Sequence, residues 1–166
     1  GFQSKAQLFI TTTGEVSFFS KTPMEDIEAV NKNVSSIINT STNEVAVQMR
    51  ITNFIFPNKL MQEHFNENYM ESNRFPNAAC SGYIIEEYDF TKDGSYNVRA
   101  KGKFIMHGIA QERILQGNLT VKNGVIKLSS YFTVLLSEHN IKIPRIVHEK
   151  LASEIKVELY AEFVKK

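Results

Sequence analysis

Between residues 95 and 106, Ser-Tyr-Asn-Val-Arg-Ala-Lys-Gly-Lys-Phe-Ile-Met, polar and apolar side chains alternate almost without error. Tyr96, Val98, Ala100, Phe104 and Met106 share one face, and Ser95, Asn97, Arg99, Lys101 and Lys103 share the other. The spacing predicts a long β-strand with one dry side. At about 3.3 Å per residue it runs about 40 Å, well beyond the common five- or six-residue strand. The same period of two recurs at 125–136, where Ile126, Leu128, Phe132, Val134 and Leu136 alternate with Lys127, Ser129, Tyr131 and Thr133. It recurs again at 156–163, where Val157, Leu159, Ala161 and Phe163 oppose Lys156, Glu158, Tyr160 and Glu162. Residues 45–51 put Val45, Val47, Met49 and Ile51 on one side, after which the parity flips to Phe54 and Phe56. A β-bulge near Thr52 or Asn53 would produce that flip.

Turn signals at Gly14, Thr42-Asn43, Asp93-Gly94 and Asn123-Gly124 separate the runs, the last two being short hairpin signals. They leave eight or nine strands, with candidates over 6–12, 14–20, 33–40, 43–56, 77–90, 95–106, 109–122, 124–138 and 154–164. Strands this long and this numerous favour a closed barrel, because closure removes the exposed edges that a sandwich would leave. The expected fold is all-β: an extended, antiparallel, eight-stranded lipocalin-like barrel with one or two short helices, in a single domain over 1–166. Three segments break the alternation. Residues 23–31 start at Pro23 and carry acids in their first turn, residues 58–70 place Leu60, Met61, Phe65 and Tyr69 near helical spacing behind an Asn58 cap, and residues 144–152 start at Pro144. Each reads as a short helix acting as a lid or plug.

Composition narrows the class. The 166 residues are 42% hydrophobic and 22% charged, enough for one sizeable core. With 19 basic against 18 acidic side chains the formal charge is +1, which leaves no electrostatic footprint for nucleic acid. No apolar run is long enough to span a bilayer as a helix. The 12 Phe and 6 Tyr, with no Trp, suit strands around a wide apolar interior. Cys80 is the single cysteine and forms no internal disulfide. The chain opens on Gly-Phe-Gln without Met, which a trimmed signal segment or a tag remnant would equally leave; export is favoured by the family resemblance below, with a periplasmic or secreted location expected from it.

Chemistry-bearing motifs are sparse. His64, His107, His139 and His148 show no metal-ligand spacing, so no metal and no cofactor are expected; His139 and His148 read as surface residues and His107 as a strand end. There is no Gly-x-Ser-x-Gly elbow, and of Asp26, Asp89 and Asp93 the last two flank turns. Glycines do not gather into a phosphate loop; Gly82, Gly102, Gly108 and Gly117 read as strand positions where a barrel bends. The expectation is that the chain is not an enzyme.

Apolar side chains are what remains. Phe18, Phe19, Phe54, Phe56, Leu60, Met61, Phe65, Tyr69, Phe75, Phe104, Met106, Phe132 and Phe163 exceed the needs of a thin core. An eight-stranded barrel is wide enough to hold one apolar ligand along its axis. Each methylene removed from water contributes about 0.8 kcal/mol, so a hydrocarbon chain binds there without strong polar contacts. The alternative is that these residues simply fill the barrel.

The stretch Leu60-Met-Gln-Glu-His-Phe-Asn-Glu-Asn-Tyr-Met-Glu-Ser-Asn-Arg-Phe-Pro76 resembles the YceI-like, lipocalin-like polyisoprenoid-binding proteins. His64, Phe65, Tyr69, Ser72, Arg74, Phe75 and Pro76 match that family's pattern, supported by Gly14-Glu-Val-Ser-Phe, by Gly102-Lys-Phe-Ile-Met-His-Gly108 and by a last strand after Ile143-Pro144. The resemblance runs nearly end to end. It implies an extended barrel, frequent export to the periplasm, and an apolar tunnel for a long-chain isoprenoid or similar lipid. Relatives often carry Arg-Asp just before the His, where this chain has Gln62-Glu63, so no charged head-group contact is carried over to those positions.

The candidate ligand-binding residues are Phe54, Phe56, Leu60, Met61, His64, Phe65, Tyr69, Phe75, Phe104, Met106, Phe132 and Val134, with His64 as a polar anchor under a lid. Two other readings stay open. One is an enzyme acting at the barrel mouth through His64 with Glu63 or Glu67. The other is a filled barrel whose outer surface binds another protein or pairs with itself as a homodimer.

Overall fold

The structure is a computed structural model and describes residues 7–21, 26–142 and 153–166. Eight antiparallel strands close into a barrel in strict sequence order, with the first strand hydrogen-bonded to the last. They are β1 (Leu8–Lys21), β2 (Asp26–Asn39), β3 (Glu44–Arg50), β4 (Asn77–Ile84), β5 (Gly94–Met106), β6 (Ile109–Lys122), β7 (Val125–Leu135) and β8 (Glu154–Lys165). The alternation in the sequence is the cause: Phe104, Leu128, Val134, Ala161 and Phe163 turn inward and are buried, while their neighbours along the strands face water.

Several local expectations are corrected. The runs 6–12 and 14–20 are one strand; Gly14 is not a turn but sits where the β1–β2 register shifts on both sides of it. The acids of Asp26 and Glu28 do not start a helix, since residues 26–31 belong to β2, where Ile27 and Ala29 are buried and pair against β1. Long-range pairing overrides a weak local helix signal there. The helix expected over 144–152 lies outside the described residues, as does His148. β4 ends at Ile84, so Asp93-Gly94 is not a two-residue hairpin: residues 85–93 form a loop that carries Phe90 back into the barrel, where it is buried. Asn123-Gly124 does make the tight hairpin, with φ of 51° and 77°.

The parity flip after β3 comes from one turn of 3-10 helix, Ile51–Asn53, rather than from a bulge. Val30 and Ile55 then exchange backbone hydrogen bonds of 3.1 and 2.9 Å. This bridge points Ile55 outward and drives Phe54 and Phe56 into the interior.

Gly82 and Gly102 face each other across β4 and β5. A Cβ on Gly82 would lie 2.0 Å from the Lys101 carbonyl oxygen, and one on Gly102 would lie 2.2 Å from that of Ser81. Only glycine permits this approach.

Two apolar clusters divide the interior. One, around Phe54, Phe56, Tyr69, Leu136 and Ile155, sits beneath the segment joining β3 to β4. The other, around Phe9, Phe90, Leu119, Ile126 and Phe163, closes the opposite end.

Candidate functional site

The segment between β3 and β4 forms the lid predicted from 58–70. Asn58 caps α1 (Lys59–His64), its Oδ1 accepting from the amides of Leu60 and Met61 at 2.9 and 3.1 Å. The helix widens into a π-turn over Phe65–Tyr69, closed by the Met70 amide on the Phe65 carbonyl at 2.9 Å, and ends at Glu71, which is left-handed at φ 47°. The Gln62 Oε1 accepts from the Phe56 amide at 3.0 Å and ties the lid to the chain that enters it.

Phe65 is the hub of the closure. Its ring stacks on Phe18 of β1 at 5.4 Å and meets Phe54 and Phe56 at 5.7 and 5.0 Å. Such pairs contribute about 0.5–1.5 kcal/mol each beyond the area they bury.

Below this cluster lies a wholly apolar chamber of about 100 Å³, walled by Phe54, Phe56, Met61, Phe65, Tyr69, Phe104, Met106, Phe132 and Val134 together with Val16, Phe18, Met49 and others. A second chamber of about 90 Å³ continues toward the far end, lined by Val47, Cys80, Gly82, Val98, Ala100, Gly102, Leu115, Gly117, Leu128 and Leu159 among others. Val16, Met49, Phe104 and Phe132 line both and form the waist between them. Voids larger than one water are few in a packed interior, and apolar ones of this size stay dry. Burial pushes the thiol of Cys80 and the phenol of Tyr69 up from their usual values, the Arg113 charge opposing part of the effect on Cys80.

Three of the expected residues are placed elsewhere. Leu60 is 60% exposed on the outer side of the lid. His64 is half-buried but does not line the chambers, so the polar anchor expected of it has no counterpart there. The helix turns by about 100° per residue, and a face shared by Met61 and Phe65 leaves both Leu60 and His64 to one side. Phe75 packs outside the lumen, its ring edge-on to His107 at 4.7 Å beneath the Arg74 guanidinium.

The histidines that matter are structural. His107 occupies the β5–β6 turn at φ 55° with Gly108 at 73°. One of its ring nitrogens meets the His139 carbonyl at 2.9 Å and the other meets the Glu71 carboxylate at 2.6 Å. That bond, first, and Arg74 at 3.1 Å hold the Glu71 carboxyl below its usual range. His139 is fully buried rather than at the surface, because its Nδ1 donates to the carbonyls of Met106 and Ile109, both at 3.1 Å, which flank the same turn. Lid, turn and the segment after β7 are thereby locked together.

Among the described residues no three His, Cys, Asp or Glu side chains gather as metal ligands, and no helix is long and apolar enough to cross a membrane. Glu63 and Glu67 point into solvent. The candidate list left out Val16, Met49 and Cys80, although each lies at the right parity of its strand and the alternation placed Met49 on the apolar side of its own.

Barrel, lid and apolar bore together define a lipocalin-like, lumen-bearing β-barrel. The family model described as YceI-like domain matches residues 2–163, and the chain belongs to that family. Solved structures with the same fold include a polyisoprenoid binding domain from Saccharophagus degradans, implicated in plant cell wall breakdown (TM-score 0.84, 10% identity, 98% of this chain and 100% of that one). Burkholderia cenocepacia BcnA superposes with a TM-score of 0.74 at 15% identity over 90% of this chain and 95% of that one. The Campylobacter jejuni YCEI protein does so at 0.65 and 12% identity over 100% and 91%. No curated protein matches the chain in sequence.

Proposed function

We propose that this protein is a non-catalytic carrier that encloses a long apolar or amphiphilic chain, an isoprenoid or another lipid, for transport, storage or sequestration. The observation that carries this reading is a pair of mainly apolar chambers inside the barrel, sharing Val16, Met49, Phe104 and Phe132 in their walls, the first of them roofed by Met61, Phe65, Tyr69 and Met70 of the lid. Desolvation of a hydrocarbon supplies the affinity, at about 0.8 kcal/mol per methylene. Met49, Met61, Met70 and Met106 along the wall give it the adaptability to admit a chain wider than the empty bore. The polyisoprenoid ligand named for the Saccharophagus domain supports an isoprenoid as the first candidate. Family membership supports a periplasmic or secreted location.

The catalytic alternative draws no support from the site, since His64, Glu63 and Glu67 do not converge on the bore. Native mass spectrometry of the purified protein tests the carrier reading, with extraction and lipid analysis of whatever comes with it. A discrete mass increment of lipid, or uptake of an added prenyl or fatty chain, is expected. Protein that is empty and ignores both kinds of chain rejects the reading.

A further inference from the structure

β6 and β7 are hydrogen-bonded to each other only from Gly117–Ser130 to Lys122–Val125. Both strands run on toward the lid end, to Ile109 and Leu135, paired with β5 and β8 respectively but not with each other. The barrel wall therefore has a seam along half its height, and side chains span it. The Ser130 hydroxyl donates to the Gln116 carbonyl at 2.5 Å, the Arg113 guanidinium to that of Thr133 at 2.8 Å, and the Gln111 amide to that of Glu138 at 2.7 Å.

Arg113 and Gln111 belong to the inner face. In the β5–β6 register Arg113 stands opposite Gly102 and Gln111 opposite Phe104, and both partners line the second chamber. Directly opposed residues of an antiparallel pair project to the same side. The Arg113 guanidinium lies 5.8 Å from the centre of the Phe132 ring, which lines both chambers. Neither Arg113 nor Gln111 is itself a wall residue of the chambers, and the guanidinium adjoins them through the Phe132 ring. A guanidinium has five N–H donors, and here one is spent on a neutral carbonyl. Among the described residues no carboxylate pairs with Arg113; the ion pairs are those of Arg74, Arg99 and His107.

We propose that Arg113, with Gln111 beside it, is a head-group site for a single-chain amphiphile bearing an anionic head, carboxylate or phosphate. The head sits in the β6–β7 seam and the tail lies in the bore over Phe132. The planar, always-charged guanidinium suits either oxyanion as a two-pronged partner. The inference rests on the bore being the binding site proposed above.

Titrating the full chain with hexadecanoate, hexadecyl phosphate and hexadecanol, by displacement of a neutral apolar fluorophore, tests it with one tail and different heads. Wild-type protein is expected to hold at least one anion about tenfold or more tighter than the alcohol. Whichever anion binds more tightly identifies the head. Arg113→Met should bring the anions down to the level of the alcohol while leaving alcohol binding unchanged, which also reports that the variant is folded. If that variant does not fold, Arg113→Lys and a salt series on wild type replace it: a preference for the anion that shrinks with the substitution and with added salt is expected. Equal binding of all heads by wild type, or an anion preference that survives loss of the guanidinium, overturns the seam site while leaving the bore reading intact. Failure of every ligand, the alcohol included, takes both down.

Discussion

The two ends of this barrel are closed in different ways, and the contrast indicates which one opens. At the far end neighbouring strands are paired except β4 and β5, which part after Ile84–Ala100, and the loop that follows β4 is latched there by hydrogen bonds. The Tyr96 hydroxyl donates to the Lys92 carbonyl at 2.6 Å, the Asn43 amide donates to the carbonyls of Ile84 and Glu86, and Arg99 pairs with Glu86 at 2.6 Å. Phe90, Leu119, Ile126 and Phe163 are all buried beneath that latch. At the lid end β2 pairs with β3 only over Ser35–Ile38, β6 leaves β7, and a short helix closes the gap with stacked rings. The lid is held by stacked rings and by the Gln62 and Glu71 bonds over a half-buried helix, with less strand pairing beneath it, so the lid end is the expected entrance.

The sharpest way to break that contrast is to truncate one ring at each end. Phe163→Ala should cost about 4 kcal/mol in chemical denaturation, since the side chain is fully buried in the fixed plug. Gly102→Ala should follow at about 3 kcal/mol, because its methyl would strike the β4 backbone. Phe65→Ala should cost less, about 2 kcal/mol, since its half-buried ring meets a lid that can settle. The same variant should speed lipid exchange. Equal losses for the two Phe variants would remove the distinction between plug and lid.

The Glu71 pair sharpens the contrast through pH. The folded-state carboxyl titrates below the usual glutamate value of 4.5, so its contribution is complete above that value and is lost as pH falls through the depressed one. Glu71→Gln should therefore lower the melting temperature at neutral pH, and the gap to wild type should close in acid. A gap that persists in acid would mean that the carboxylate does not fasten the lid electrostatically. The smallest effect is expected at Leu60: Leu60→Ala should change stability by less than about 0.5 kcal/mol, as its side chain faces solvent. Hydrogen exchange offers an independent measure, with amides of α1 exchanging well before those of β5.

Much of the wall could be read from alternation, because a strand with one wet and one dry side must place every second residue in the core. Phe104, Met106, Phe132 and Val134 reach the bore for that reason. The lid was legible in part: Met61, Phe65 and Tyr69 turn inward, while Leu60 does not, because a helical face is narrower than a list of apolar residues. His139 could not be assigned from its neighbours. Its burial depends on two carbonyls, at Met106 and Ile109, brought to it from about thirty residues away by the turn they flank.

The sequence by itself determined the strand class, the long β5, the barrel and the apolar character of its inside, since each follows from a period of two read over a single stretch. Only the tertiary structure decided that 26–31 is strand, that β6 parts from β7, that Arg113 is on the inner face, and that His107 and Glu71 clasp the lid. Periodicity is a property of one segment. Register, the end of a pairing and the meeting of His107 with Glu71 are properties of segments far apart in the chain, and they are fixed by which partner wins when the barrel closes.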